Sequence, residues 1–182
     1  MTRATSDPVL ILTGAPGAGK TAVARLLAAS SKHAAHLESD SFFHFIQTGY
    51  IEPWKPEAHE QNTVVMRIVA EAAAGYAGAG FFTIVDGILS PRWFFEPLRD
   101  SLRAAGHPVA YAVLRPPLAV CVSRTGSRES RPLGDAGVVE RLWQDFADLG
   151  PLERHAIDID AESAEAVADL VAQRIHDGSL AV

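Results

Sequence analysis

The sequence predicts an α/β fold in which a five-stranded parallel sheet is covered by helices on both faces. Three observations carry this. Short apolar runs alternate with helical patterns throughout, as strands joined by helical crossovers do. In "LILTGAPGAGKTAVARLL", residues 10–27, a buried-strand pattern passes through a glycine-rich turn into a helix. No repeat, linker or low-complexity stretch interrupts the 182 residues, so 1–182 reads as one domain with a sizeable core. With right-handed crossovers, the alternation predicts three layers and the strand order 2-3-1-4-5, all parallel. The glycine-rich turn then lies at the carboxyl end of the first strand.

"PVLILT" (8–13) is the first strand, closed by Gly14. "TAVARLLAAS" (21–30) is a helix with Val23, Leu26 and Leu27 as its apolar positions. "HAAHLES" (33–39) is a weaker strand. "EAHEQNTVVMRIVAEAAAGYA" (57–77) is a long helix with Val65, Ile68, Val69 and Ala72 at helical spacing, stopped by Gly78 and Gly80. "FFTIVD" (81–86) is a strand ending on an acid. Ser90-Pro91 and Glu96-Pro97 both read as helix starts, because proline is tolerated at the first helical position, and the second of these helices runs to Gly106. "PVAYAVLR" (108–115) is a strand, and "PPLAVCVSRTGS" (116–127) begins as a helix. A polar, arginine-bearing loop covers 124–136, followed by the amphipathic "GVVERLWQDFADL" (137–149). "HAIDID" (155–160) is the last strand and "AESAEAVADLVAQRIH" (161–176) the last helix.

Composition narrows the function classes. A net charge of −6 and a pI near 5.6 argue against a broad nucleic-acid or anionic-membrane footprint, so neither partner is expected. The lone Cys121 excludes a disulfide framework and a cysteine metal site, and the seven scattered histidines, with His33 and His36 the closest pair, form no metal cluster. The apolar run near the start is too short for a signal peptide, and none reaches transmembrane length. A cytoplasmic monomer or small homo-oligomer is expected.

Gly14-Ala15-Pro16-Gly17-Ala18-Gly19-Lys20-Thr21 fits G-x-x-x-x-G-K-[ST], and Ala22 continues it into the helix. The glycines let backbone N–H groups wrap an anion, Lys20 supplies a point charge for the outer phosphates, and Thr21 a hydroxyl for Mg2+. The helix N-terminus adds its dipole. Bound nucleoside triphosphate is the expectation. A GTPase would need an N-K-x-D segment, which is missing, and an AAA+ motor a second helical domain, for which the chain is too short.

Beyond this motif lie Asp40 after the second strand, "VDG" after the third, and "SRTGSRESRP" beyond the fourth. With those features the chain resembles the small P-loop kinases: nucleoside-monophosphate, shikimate and gluconate kinases, chloramphenicol phosphotransferase and zeta toxins. The segment "SDSFFHFIQTGYIEPWKPEAHEQN" (39–62) is similar to uncharacterised bacterial ATP-binding proteins. The resemblance implies a P-loop NTPase fold and ATP-dependent transfer of the γ-phosphoryl group to a small-molecule hydroxyl. Asp40 then matches the acid/base, with Glu38 as alternate; as a purely structural residue Asp40 would cap the helix "SFFHFIQ". Asp86 resembles a Walker B acid that holds Mg2+ through water or binds the acceptor. By position Arg124 resembles an adenine-stacking arginine, and Arg128 and Arg131 a phosphoryl clamp in a lid over 124–136, with Gly126 and Gly134 as hinges. "VDGILSPRW" is similar to the D-G-F-P-R segment of adenylate kinases, although two extra residues precede Pro91-Arg92.

The acceptor-side segment is 41–67. It is rich in aromatics and amides (Tyr50, Trp54, Gln61, Asn62) and has only Lys55 and Arg67 as cations. That favours a neutral or amphipathic hydroxyl compound, with Trp54 as the exposed aromatic. Two other readings stay open: a nucleoside or nucleotide kinase anchored by Arg92 or Arg67, and an ATP-binding regulatory protein or slow NTPase without acceptor chemistry.

Overall fold

A computed structural model of the chain describes residues 7–126 and 136–182. The order is β1 (Val9–Thr13), α1 (Lys20–Ala29), β2 (Ala34–Glu38), α2 (Ser39–Phe43), α3 (His59–Gly78), β3 (Phe82–Asp86), α4 (Phe95–Ala104), β4 (Val109–Arg115), α5 (Leu118–Gly126), α6 (Ala136–Ala147), β5 (Ala156–Asp158) and α7 (Ala164–His176). The five strands form one sheet in the order β2-β3-β1-β4-β5, every neighbouring pair parallel. This is the predicted order.

Every residue of β1 is buried because both faces of the central strand are covered. On one face Val23 and Leu27 of α1 and Val167 and Val171 of α7 pack on Leu10, Leu12 and Ile84. On the other, Val65 and Val69 of α3, Leu98 of α4 and Phe146 of α6 pack around Val9, Ile11 and Tyr111. The Tyr111 ring lies 3.9 Å from that of Phe95, and its hydroxyl donates to Leu89 O at 2.9 Å. Leu89 N in turn donates to Thr13 Oγ1 at 2.8 Å. The chain leaving β3 is thus tied to the end of β1 and, through a side chain, to the first half of β4.

That tethering corrects one expectation: Ser90-Pro91 starts no helix. The segment turns instead, with Trp93 N donating to Ser90 O at 2.9 Å, and Phe94 takes a left-handed conformation (φ 55°) that stops any helix before Phe95. α4 begins there, with Pro97 in its first turn, where a missing N–H is tolerated. Three further corrections concern exposure and extent. Ile68 is 44% exposed rather than facing the core. Trp54 is only half-buried, and the exposed aromatics of its segment are Phe45, at 75%, and Tyr50, at 44%. α5 continues through Gly126, so Arg124 stands on a helix rather than in a loop.

Residues 177–182 carried no expectation. Here Tyr111 N donates to Leu180 O (2.9 Å) and Val182 N to Val109 O (3.1 Å), around an antiparallel bridge between Ala110 and Ala181. This run occupies the edge of β4 that the three-residue β5 leaves open.

Candidate functional site

The turn from Gly14 to Gly19 joins β1 to α1 at the carboxyl end of the sheet. Its glycines are demanded by close approach as well as by backbone angle. A Cβ on Gly14 (φ 145°) would come within 2.3 Å of Leu114 O, and one on Gly17 (φ 81°) within 2.5 Å of Cys121 O. The loop is therefore pressed between the top of β4 and the start of α5. Gly19 (φ 93°) precedes α1 and supplies no side-chain cap, and the N-terminus of that helix, where the positive end of its dipole lies, meets the loop.

Lys20 Nζ reaches back to Gly14 O (3.0 Å) and Ala15 O (3.1 Å). Arg124 Nη1 approaches Gly17 O at 3.4 Å from α5. Burial pushes the Cys121 thiol up, while the Lys20 and Arg124 charges pull it the other way, so both cations lie around the same loop. Ala15, Pro16, Ala18 and Ala22 offer no polar side chain, and Ala15 and Ala18 are buried.

Thr21 Oγ1 donates to Asp86 Oδ2 at 2.7 Å, joining the first turn of α1 to the end of β3. His36 Nε2 lies 3.2 Å from that same oxygen. The register explains the meeting. His36 stands opposite Ile84 and Glu38 opposite Asp86, so His36 and Asp86 are diagonal neighbours on the sheet face that α1 covers. Sequence reading missed His36 because the predicted order makes β2 and β3 neighbours without fixing the register that brings this residue beside the acid.

Asp40 is exposed in the first turn of α2, one position inside the helix, whose N-cap is Glu38; it is not the cap. Burial, Glu52 and Asp40 together push the Tyr50 phenol up, which places that phenol in the electrostatic field of Asp40. Glu38 forms a 3.1 Å ion pair with Arg25. Arg67 and Arg92 are exposed. Lys55 pairs with Glu52 at 2.8 Å. Arg128, Arg131 and Gly134 lie outside the described residues, as do residues 127–135 of the expected 124–136 lid.

The amides expected to meet an acceptor are engaged within the protein. Gln61 donates to Ile51 O (2.6 Å) and accepts from Ile51 N (2.9 Å), and Asn62 Nδ2 donates to Pro53 O (2.8 Å). A groove of about 390 Å³ lies between the chain after α2 and the start of α3, lined by Phe42, Phe45, Ile46, Val64, Val65 and Ile68 with Glu60 and Gln61. Asp40 is not part of its lining. No helix among the described residues is long and apolar enough to cross a membrane.

Comparisons place this arrangement among known folds. An unliganded sugar kinase from Janibacter sp. superposes with a TM-score of 0.66 at 22% identity, covering 91% of this chain and 92% of that one. The tunicamycin resistance protein of Deinococcus radiodurans gives 0.67 at 18% identity, with 93% and 95% covered. An APS kinase from Mycobacterium tuberculosis, in complex with AMPPNP and APS, gives 0.70 at 17%, with 95% and 99% covered. No curated protein matches the chain in sequence. A family model described as an AAA domain matches residues 9–149, which takes in the glycine loop, Asp40, Asp86 and Arg124. The glycine cradle, the threonine–aspartate pair above it and this match together show that the chain belongs to the AAA domain family.

Proposed function

We propose that the chain binds ATP with Mg2+ and transfers the terminal phosphoryl group to a hydroxyl of a small molecule. The observation that carries this reading is the placement of Thr21, Asp86 and Asp40 at one end of the sheet. Thr21 and Asp86 are hydrogen-bonded beside the glycine loop, and Asp40 follows the strand whose last residue is level with Asp86. Phosphoryl transfer needs a phosphate cradle, an outlet for developing charge and a carboxylate near the attacking hydroxyl.

The residues present fit Mg2+. A hydroxyl that gives its proton to a carboxylate keeps its oxygen lone pairs for a cation, and both donors are the hard oxygens that Mg2+ prefers. Among the described residues no three His, Cys, Asp or Glu side chains are grouped to hold a metal, and Mg2+ in nucleotide sites is commonly held by one or two protein oxygens and by phosphates. When bound, Mg2+ would neutralise phosphate charge. Thr21 and Asp86 would hold it, the loop N–H groups would orient the phosphates, and Lys20 would supply positive charge at the outer ones. Arg124 would stack on adenine, and Arg128 and Arg131 would clamp the moving group. Asp40 would accept the acceptor's proton.

The acceptor side favours a neutral hydroxyl compound. Lys55 is matched by Glu52, and Tyr50 sits among acids, so the segment offers little to an anion. The similar proteins differ in acceptor, one being a sugar kinase and another an APS kinase in complex with APS. ADP release is to be screened across neutral hydroxylated metabolites, nucleosides, nucleotides and antibiotics. Turnover with a neutral acceptor supports the reading. Turnover with nucleotides alone shifts it to a nucleotide kinase, and ATP binding with no acceptor-stimulated turnover shifts it to a regulatory protein or slow NTPase. A cytoplasmic monomer or small oligomer, in one domain over 1–182, completes the proposal.

A further inference from the structure

Asp86 is 4% exposed, and its hydrogen bonds in the structure come from two elements. Thr21 approaches from α1 and His36 from β2, whose ring is 13% exposed. Thr21 Oγ1 donates to Oδ2 and His36 Nε2 lies 3.2 Å from that same oxygen, leaving Oδ1 outside the pair of contacts. A carboxylate only accepts, so the His36 tautomer that makes this bond is the one with its proton on Nε2. A carboxyl group rotates broadly about its last torsion when nothing restrains it. Two donors converging on one oxygen remove that freedom.

We propose that His36 is a positioning residue that fixes the Asp86 carboxylate for the metal–nucleotide complex, through its Nε2–H bond to Oδ2. The inference rests on the proposed Mg2+-ATP reading and adds to it. His36 touches neither acceptor nor nucleotide in this role. Its ring lies on the α1-covered face of the sheet, with β3 between its strand and the strand that carries the glycine loop. Partners that orient a metal-holding side chain set metal affinity by about 10–100-fold, while the glycine loop binds phosphate through backbone groups that His36 does not contact. Loss of the imidazole donor therefore weakens Mg2+ and leaves metal-free nucleotide binding intact.

The test compares the parent with His36→Phe, His36→Gln and His36→Asn. Glutamine carries its amide nitrogen near the place of Nε2, whereas asparagine is too short and phenylalanine has no donor. Calorimetry measures Mg2+ affinity of the ADP complex and, separately, ADP affinity in EDTA; thermal midpoints are read on the same preparations. The expected result is Mg2+ affinity lowered by roughly 10-fold in His36→Phe and His36→Asn, within about 3-fold of the parent in His36→Gln, and unchanged ADP affinity in EDTA throughout. Should His36→Phe fold poorly, His36→Asn against His36→Gln makes the same comparison. Parental Mg2+ affinity in the donor-less variants overturns the proposal, as does an equal loss of ADP affinity in EDTA or a His36→Gln that behaves like His36→Phe. A parent that binds ADP with no dependence on Mg2+ instead overturns the Mg2+-ATP reading itself.

Discussion

Gln61 and Ile51 pair through both backbone groups of Ile51, the amide nitrogen donating at 2.6 Å and the amide oxygen accepting at 2.9 Å. One side chain on α3 thereby stands in for a neighbouring strand and pins the chain that enters the helix. Gln61→Leu keeps the bulk and loses both bonds. The expected cost is about 1–3 kcal/mol of unfolding free energy, read by urea denaturation. ATP affinity should stay parental, because Gln61 lies apart from the glycine loop.

Lys20→Ala should abolish tight Mg2+-ATP binding or turnover while the thermal midpoint stays near the parent's. Lys20 Nζ donates to the carbonyls of Gly14 and Ala15 in its own loop, and its side chain belongs to neither core cluster. Calorimetry and a steady-state assay check this. Parental binding and turnover would remove the phosphate-cradle reading.

Asp40→Asn separates chemistry from structure. Asp40 is exposed and does not cap α2, so the amide should fold with near-parental stability. ATP affinity should hold, and turnover should fall by on the order of 10²-fold or more. A variant with full turnover on the true acceptor would remove Asp40 from the mechanism and shift the role to Glu38 or Asp86.

His155 predicts a pH dependence of stability. It is fully buried, with Nδ1 3.1 Å from Tyr111 O and Nε2 accepting from Arg154 Nε at 3.1 Å, so the neutral ring is satisfied on both sides. Burial pushes its pKa down, the Tyr111 carbonyl opposes this, and Arg154 and Arg174 add to the depression. The unfolded chain therefore binds more protons just below the ordinary histidine range. Stability falls as pH drops through that window and levels off below the depressed folded value. Denaturation midpoints of the parent should decline more steeply between pH 7 and 5 than those of His155→Gln, and equal slopes would count against the assignment.

What the sequence disclosed and what it withheld divide along physical lines. β1, β3 and β4 were legible because both their faces are covered, which makes them continuous apolar runs. The glycine loop was legible because its spacing is dictated by backbone approach to Leu114 and Cys121. The turn at Ser90 was not, because tertiary bonds from Thr13 and Tyr111 decide it. The amides at 61 and 62 read as ligand contacts because only the fold reveals that Ile51 and Pro53 come back to meet them. His36 was passed over for a similar reason: its partner is on another strand.

The antiparallel run beside β4 has a consequence for solubility. β4 is seven residues long and almost wholly apolar, yet β5 pairs only with its last three, Val113 to Arg115. The other half would present unpaired N–H and C=O groups, a ready template for another chain to add a strand. Leu180 to Val182 occupy those groups at Val109 and Tyr111. Protection against edge-to-edge aggregation thus rests on three residues far from any chemistry, held beside the sheet by Arg154 and Arg174.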